Sequence, residues 1–204
     1  VECMYSVSAD PILVGESGVI SITSKGAPLA MVGIYKEDGT LLGTTDENGR
    51  LTTDFLSDTA ADATVYAKDA EGRLSFTAVV SSFAAQGDVT GAPFGVMNHA
   101  SKDGGLETNV TWFTNPNAKA QKLQYKLSGT DQWTIVNADS ARLTFTKGGN
   151  SMVSVHSEIV SGLAANTTYV YRVGDGEQWS KEYTFKTDNR DGKVKFFVLG
   201  DIQT

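Results

Sequence analysis

One local pattern runs through most of this chain: apolar residues at every second position, interrupted by glycine-centred turns. Ile20 and Ile22 alternate with Ser21 and Thr23. Ala63, Val65 and Ala67 alternate with Thr64, Tyr66 and Lys68, and Leu123, Tyr125 and Leu127 alternate with Lys122, Gln124 and Lys126. Successive side chains of a strand point to opposite faces, so each run reads as a half-buried strand. No run carries apolar residues at helical spacing. The expected class is all-β until the last dozen residues. At 204 residues the chain has room for two sandwich domains of about 100 residues each.

The first module is expected over residues 1–86. Val32 and Ile34 follow the first alternating run, and Leu74, Phe76 and Ala78 are expected to close the buried face. Asp38-Gly39, Asn48-Gly49 and Glu71-Gly72 mark three tight turns, because glycine enters positive φ without steric cost. Small and polar residues 87–92 read as a linker. The second module is expected over residues 93–187. There Val110, Trp112 and Thr114 share one face, as do Val153 and Val155, then Tyr169, Tyr171 and Val173, then Tyr183 and Phe185.

Charge excludes one class of partner. The formal net charge is −7, the acidic groups are scattered, and no basic stripe is available to neutralise phosphates, so nucleic acid is not expected as a partner. No apolar stretch approaches the ~20 residues of a membrane-spanning helix. The single cysteine, Cys3, allows no internal disulfide, and the two histidines, His99 and His156, lack zinc-ligand spacing. His156 stands between Val155 and Ser157 on an alternating strand and is expected to face solvent, with His99 in a loop. Asp46, Asn48 and Asp54 do not follow the spacing of a helix–loop–helix calcium site.

Two stretches carry family resemblances. The segment Val32-Gly33-Ile34-Tyr35, continued by Asp38 through Leu51, resembles prealbumin-like sandwiches, including carboxypeptidase-regulatory-like and Cna-B-like domains. Leu163-Ala164-Ala165-Asn166-Thr167-Thr168-Tyr169 places a leucine six residues before a strand-opening tyrosine. This looks like the tyrosine corner of a fibronectin type III domain, with Ala165 where that family usually has proline. Thr111-Trp112-Phe113-Thr114, Tyr171-Arg172-Val173-Gly174-Asp175, Trp179-Ser180 and Tyr183-Thr184-Phe185-Lys186-Thr187 extend the series. In that order they resemble the fibronectin-like N-terminal domain of purple acid phosphatases, which packs beside a metallophosphoesterase domain and supplies no metal ligand. The resemblance implies structural roles for Trp112, Leu163, Tyr169 and Tyr171. Trp133 and Trp179 sit in polar stretches and are candidate ligand-contact residues for a glycan.

The tail changes pattern. Residues 188–204 read as a linker followed by Val194-Lys195-Phe196-Phe197-Val198-Leu199-Gly200-Asp201. Four consecutive apolar residues suit a strand buried on both faces, as in a parallel sheet, and a ligand site belongs at its carboxyl end. This looks like the first motif of calcineurin-like metallophosphoesterases, so the terminal strand would open an α/β domain otherwise absent from these residues. The resemblance implies that Asp201 is a metal ligand in the parent protein, whose centre would hold two ions of iron, zinc or manganese. Gln203 stands where purple acid phosphatases usually have glycine and many relatives histidine.

The reading that follows is a non-catalytic accessory region of a secreted, metal-dependent phosphoesterase, with its own C-terminal catalytic domain as partner and no cofactor bound by the two sandwiches. A bacterial, extracellular or cell-surface location is expected, as a monomer or a weak edge-paired dimer. The sequons at Asn109 and Asn166 are expected unmodified. The alternative is an adhesion module that contacts a cell surface, glycan or protein.

Overall fold

The structure, a computed structural model, describes residues 5–54, 59–100, 105–145 and 151–193. Cys3, Asp201, Gln203 and the apolar strand expected from Val194 lie outside them. All regular elements among the described residues are strands, consistent with the all-β expectation.

The chain divides into two compact units. The first contains Val1–Asp88 together with Asn115–Asn117 and Arg142–Ser154; the second contains Val89–Thr114, Ala118–Ala141 and Val155–Thr204. The sequence boundaries differ in giving all of residues 93–187 to the second module.

In the first unit the strands are β1 (Tyr5–Ala9), β2 (Ile12–Leu13), β3 (Gly18–Ser24), β4 (Ala27–Pro28), β5 (Gly33–Lys36), β6 (Leu41–Thr44), β7 (Arg50–Thr53), β8 (Ala61–Lys68) and β9 (Ala78–Ala85). β3 pairs with β1 on one side and with β4 and β7 on the other. A second sheet runs β2-β9-β8-β5-β6. Tyr5, Ile20, Ile22, Val32, Ile34, Val65, Ala67 and Val80 fill the core. The alternation thus converts into one apolar face per strand, the arrangement expected when a sheet has one side packed and one wet.

Two turns share the order Asp-x-x-Gly-Arg, at Asp46–Arg50 and Asp69–Arg73. In each the aspartate Oδ1 accepts the backbone N–H of the arginine four residues on, at 2.9 and 2.8 Å. Gly49 and Gly72 take φ of 69° and 81°. Asp46 also accepts the Asn48 N–H and so serves its own turn, while Asp54 accepts the hydroxyl of the distant Ser17.

One stretch departs from the expected pattern. Leu74 and Phe76 are 52% and 73% exposed, whereas Ser75 between them is buried. The Ser75 hydroxyl accepts the Ala67 N–H at 2.8 Å and donates to the Phe76 carbonyl at 2.7 Å. Backbone hydrogen bonding there outweighs the apolar face, because an unpaired buried backbone group costs as much as the lost burial of one side chain.

The second unit is built from β10 (Phe94–Ala100), β11 (Thr108–Thr114), β12 (Lys122–Leu127), β13 (Thr134–Asn137), β14 (Asp139–Phe145), β15 (Ser151–Val160), β16 (Thr168–Gly174) and β17 (Tyr183–Lys186). One sheet orders β10-β11-β15, with β14 also on β15, and the other orders β13-β12-β16-β17. Packed against each other through one apolar core, these two groups of four strands form a fibronectin III-like sandwich. Val110, Trp112, Leu123, Val160, Leu163, Tyr169, Tyr171 and Val173 form its core. His99 lies on β10 and not in a loop: Asn98 and His99 pair with Val110 and Asn109. The first residues of β15 belong to the first unit because Ser151 and Met152 pair in parallel with Ala84 and Ala85.

Candidate functional site

Three side-chain groups of the second unit bring polar or aromatic residues together: the corner around Tyr169, the outer face of the β13-β12-β16-β17 sheet, and the buried side chains around Trp112.

The corner is a fastening. Tyr169, 7% exposed, opens the buried face of β16, and its hydroxyl accepts the Ala164 N–H at 3.0 Å. The Thr187 hydroxyl donates to the Ala164 carbonyl at 2.6 Å and accepts the Thr167 N–H at 2.9 Å. Leu163 is buried beside it, and Asn166 turns the chain at φ 52°. The Tyr169 ring stacks on Phe185 with centroids 5.5 Å apart, and Tyr171 stacks on Tyr183 at 5.4 Å. Burial, then the neighbouring Tyr183, raise the Tyr171 phenol above its ordinary pKa, so it stays protonated and structural.

On the outer face, Trp133 and Trp179 are half-buried. The Arg172 guanidinium lies 4.5 Å from the Trp133 ring centroid and 4.7 Å from that of Trp179. The Lys126 ammonium lies 4.5 Å from the Trp133 ring. Register explains the meeting: Gln124 on β12 faces Arg172 on β16, and Lys126 stands two residues along β12 on the same side. Arg172 Nε donates to Gln124 Oε1 at 2.9 Å, which satisfies a glutamine that is only 7% exposed. Each indole therefore carries a cation over its ring. A sugar stacking on that ring face would have to displace Arg172 or Lys126. Sequence reasoning singled out the two tryptophans and missed the cations; the available signal was a basic residue at the outward position of an otherwise aromatic β16.

The third group is buried. Trp112 is fully enclosed, and its indole N–H points to Gln121 Oε1 at 3.3 Å. His156 stacks on Trp112 with centroids 5.4 Å apart and interplanar angle 23°. It is 4% exposed, which corrects the expectation of a solvent-facing histidine. The alternation failed because Met152, Ser154 and His156 share the inward side of β15, and two of these three are polar. Nε2 of His156 is 2.8 Å from the Thr114 hydroxyl, while Nδ1 has no hydrogen-bond partner among the described residues. Burial holds the imidazole pKa down to about 4, so it is neutral at physiological pH.

These groups bind no reacting atoms together. Among the described residues no three His, Cys, Asp or Glu side chains come close enough to share a metal ion. Asp201 and Gln203, which the resemblance places at a metal, lie outside the described residues, and no chemical step is derived through them. No helix among these residues is long and apolar enough to cross a membrane.

Comparison with known proteins relates the second domain to one family. Residues 93–187 match the family described as purple acid phosphatase, N-terminal domain. No curated protein sequence matches the chain. Among solved structures, a purple acid phosphatase, PPD1, from yellow lupin (Lupinus luteus) seeds aligns at 16% identity over 95% of this chain and 43% of that one, with TM-score 0.38. The FN1–FN3 domains of chicken CNTN1 align at 15% identity over 90% of this chain and 64% of theirs, with TM-score 0.37. The fibronectin(III)-like modules of Clostridium thermocellum CbhA align at 15% identity over 96% of this chain and all of theirs, with TM-score 0.34. The chain thus spans 43% of the lupin enzyme and 64% of the chicken protein. Residues 93–187, which fold as a two-sheet β-sandwich, are thus similar to purple acid phosphatase N-terminal domains.

Proposed function

We propose that this chain is the accessory region of a secreted metal-dependent phosphoesterase and that hydrolysis is carried out by a separate catalytic domain of the same protein. The observation that carries this reading is the family match over residues 93–187. The side chains of the second unit support it in kind. Its aromatic residues are engaged in core, corner and cation stacking, and its buried polar side chains, His156 Nδ1 apart, are engaged in hydrogen bonds, which suits a rigid body that positions or shields a neighbour. Asp201 is proposed as a ligand in the catalytic domain, with Gln203 beside it, and iron, zinc or manganese as the metal. Export from a bacterial cell is part of the same proposal.

The test compares the purified 204-residue chain with the full-length protein, using p-nitrophenyl phosphate with iron, zinc or manganese added. Turnover is expected only from the full-length protein. Metal-dependent turnover by the chain alone overturns the accessory reading. Absence of turnover from a folded full-length protein, together with saturable glycan binding lost in Trp133→Ala, favours an adhesion module instead.

A further inference from the structure

We propose that His156 is an acid sensor built into the second unit, whose protonation opens the Trp112 core. The geometry carries this. An imidazole that is 4% exposed has one nitrogen on the Thr114 hydroxyl and the other with no hydrogen-bond partner among the described residues. In the neutral ring that second nitrogen costs one unmade hydrogen bond. In the imidazolium both nitrogens donate, and a buried charge is added with no acceptor for one N–H. The Trp112 face attracts a cation, but it offsets only part of the desolvation.

Among the described residues the neighbouring strands offer no counter-ion. β11 presents Trp112 and Thr114 to the ring. On β15 the ionisable residue on the same side is Glu158, two residues along and half-buried. β14, also paired with β15, carries Asp139 and Arg142, and Arg142 is bonded to Glu16. None of these charges contributes to the imidazole's depressed proton affinity, whose cause is burial alone.

The sign follows from linkage. The unfolded imidazole takes up a proton below about pH 6.5, whereas the folded one resists to about pH 4. The unfolded state therefore binds more protons in that window, and stability falls as pH falls from about 6.5 towards 4. The loss is absent above about pH 7. The depressed carboxylates Asp38, Asp69 and Asp175 act at lower pH, because their reference value is 3.8.

Trp112, Trp133 and Trp179 all belong to the second unit, so tryptophan fluorescence follows its unfolding in urea. Between pH 7.5 and 5.0 the unfolding constant should rise about 30-fold, and in His156→Gln the rise should shrink to less than about threefold. Because the glutamine substitution alters a buried position, a second measurement on the unsubstituted chain follows the two imidazole Cε1–H resonances by NMR, with His99→Gln supplying the assignment. The His156 signal should keep its neutral position to pH 5 in the folded protein. A His156 signal that titrates near pH 6.5 with the fold intact, or an undiminished pH effect in a folded His156→Gln, overturns the proposal.

Discussion

Replacing Tyr169 with phenylalanine isolates one hydrogen bond of the corner. The ring stays, with its stack on Phe185 at 5.5 Å and its edge contact to Tyr125 at 6.3 Å. What disappears is the acceptor for the Ala164 N–H at 3.0 Å. A hydrogen bond of this kind is worth about 0.5–1.5 kcal/mol net, and an orphaned buried donor costs up to about 3. Ala164 is itself exposed, so water can reach its N–H and the lower range applies. The second fastening, from Thr187 to Ala164 and Thr167, also remains. The expected loss is therefore about 1 kcal/mol, or roughly 4–8 °C in Tm for a domain of this size. Tyr169→Ala also removes the ring from the core and should cost about 3–5 kcal/mol, as large-to-small core substitutions do. Urea unfolding followed by tryptophan fluorescence reads both variants against the parent chain. The reasoning fails if Tyr169→Phe is indistinguishable from the parent, because the hydroxyl then fastens nothing. It also fails if the phenylalanine variant loses as much as the alanine variant, because the ring then contributes nothing beyond its hydroxyl.

Two further predictions concern packing that is specific to named positions. Gly49→Ala should destabilise the first unit by about 1–3 kcal/mol, since φ is 69° and a Cβ there would lie 2.6 Å from the Ile22 carbonyl oxygen and 2.8 Å from Leu29 N; thermal unfolding by far-ultraviolet circular dichroism checks it, and an unchanged Tm contradicts it. A double-mutant cycle on Arg172→Ala and Trp179→Ala should give a coupling of about 0.5–1 kcal/mol, as for a partly exposed cation–aromatic pair, and a coupling near zero would mean that the guanidinium merely lies alongside the indole.

The strand content and most of the core were legible in the order of residues, because a period of two has only one regular interpretation. Ile20, Ile22, Val65, Trp112, Leu123, Tyr171 and Val173 are buried where alternation puts them. The positive-φ turns at Gly39, Gly49 and Gly72 were legible for the same local reason, since glycine's freedom needs no distant partner. The spacing from Leu163 to Tyr169 was informative because both ends of that hydrogen bond lie within one short segment.

What depended on distant partners was not legible. Alternation says which residues share a face and not which face is covered. Ser75 points inward, leaving Leu74 and Phe76 exposed, because β8 needed a hydrogen-bonding partner at Ala67. His156 reads as a surface residue until β11 brings Trp112 and Thr114 over it. Trp133 and Trp179 read as open aromatic platforms until pairing of β12 with β16 sets Arg172 and Lys126 against their rings. The sequence by itself determined the class, the turns and the domain type over residues 93–187. Only the tertiary structure decided which polar groups were buried and which aromatic faces were taken, because desolvation and ring stacking are set by neighbours far away in the chain.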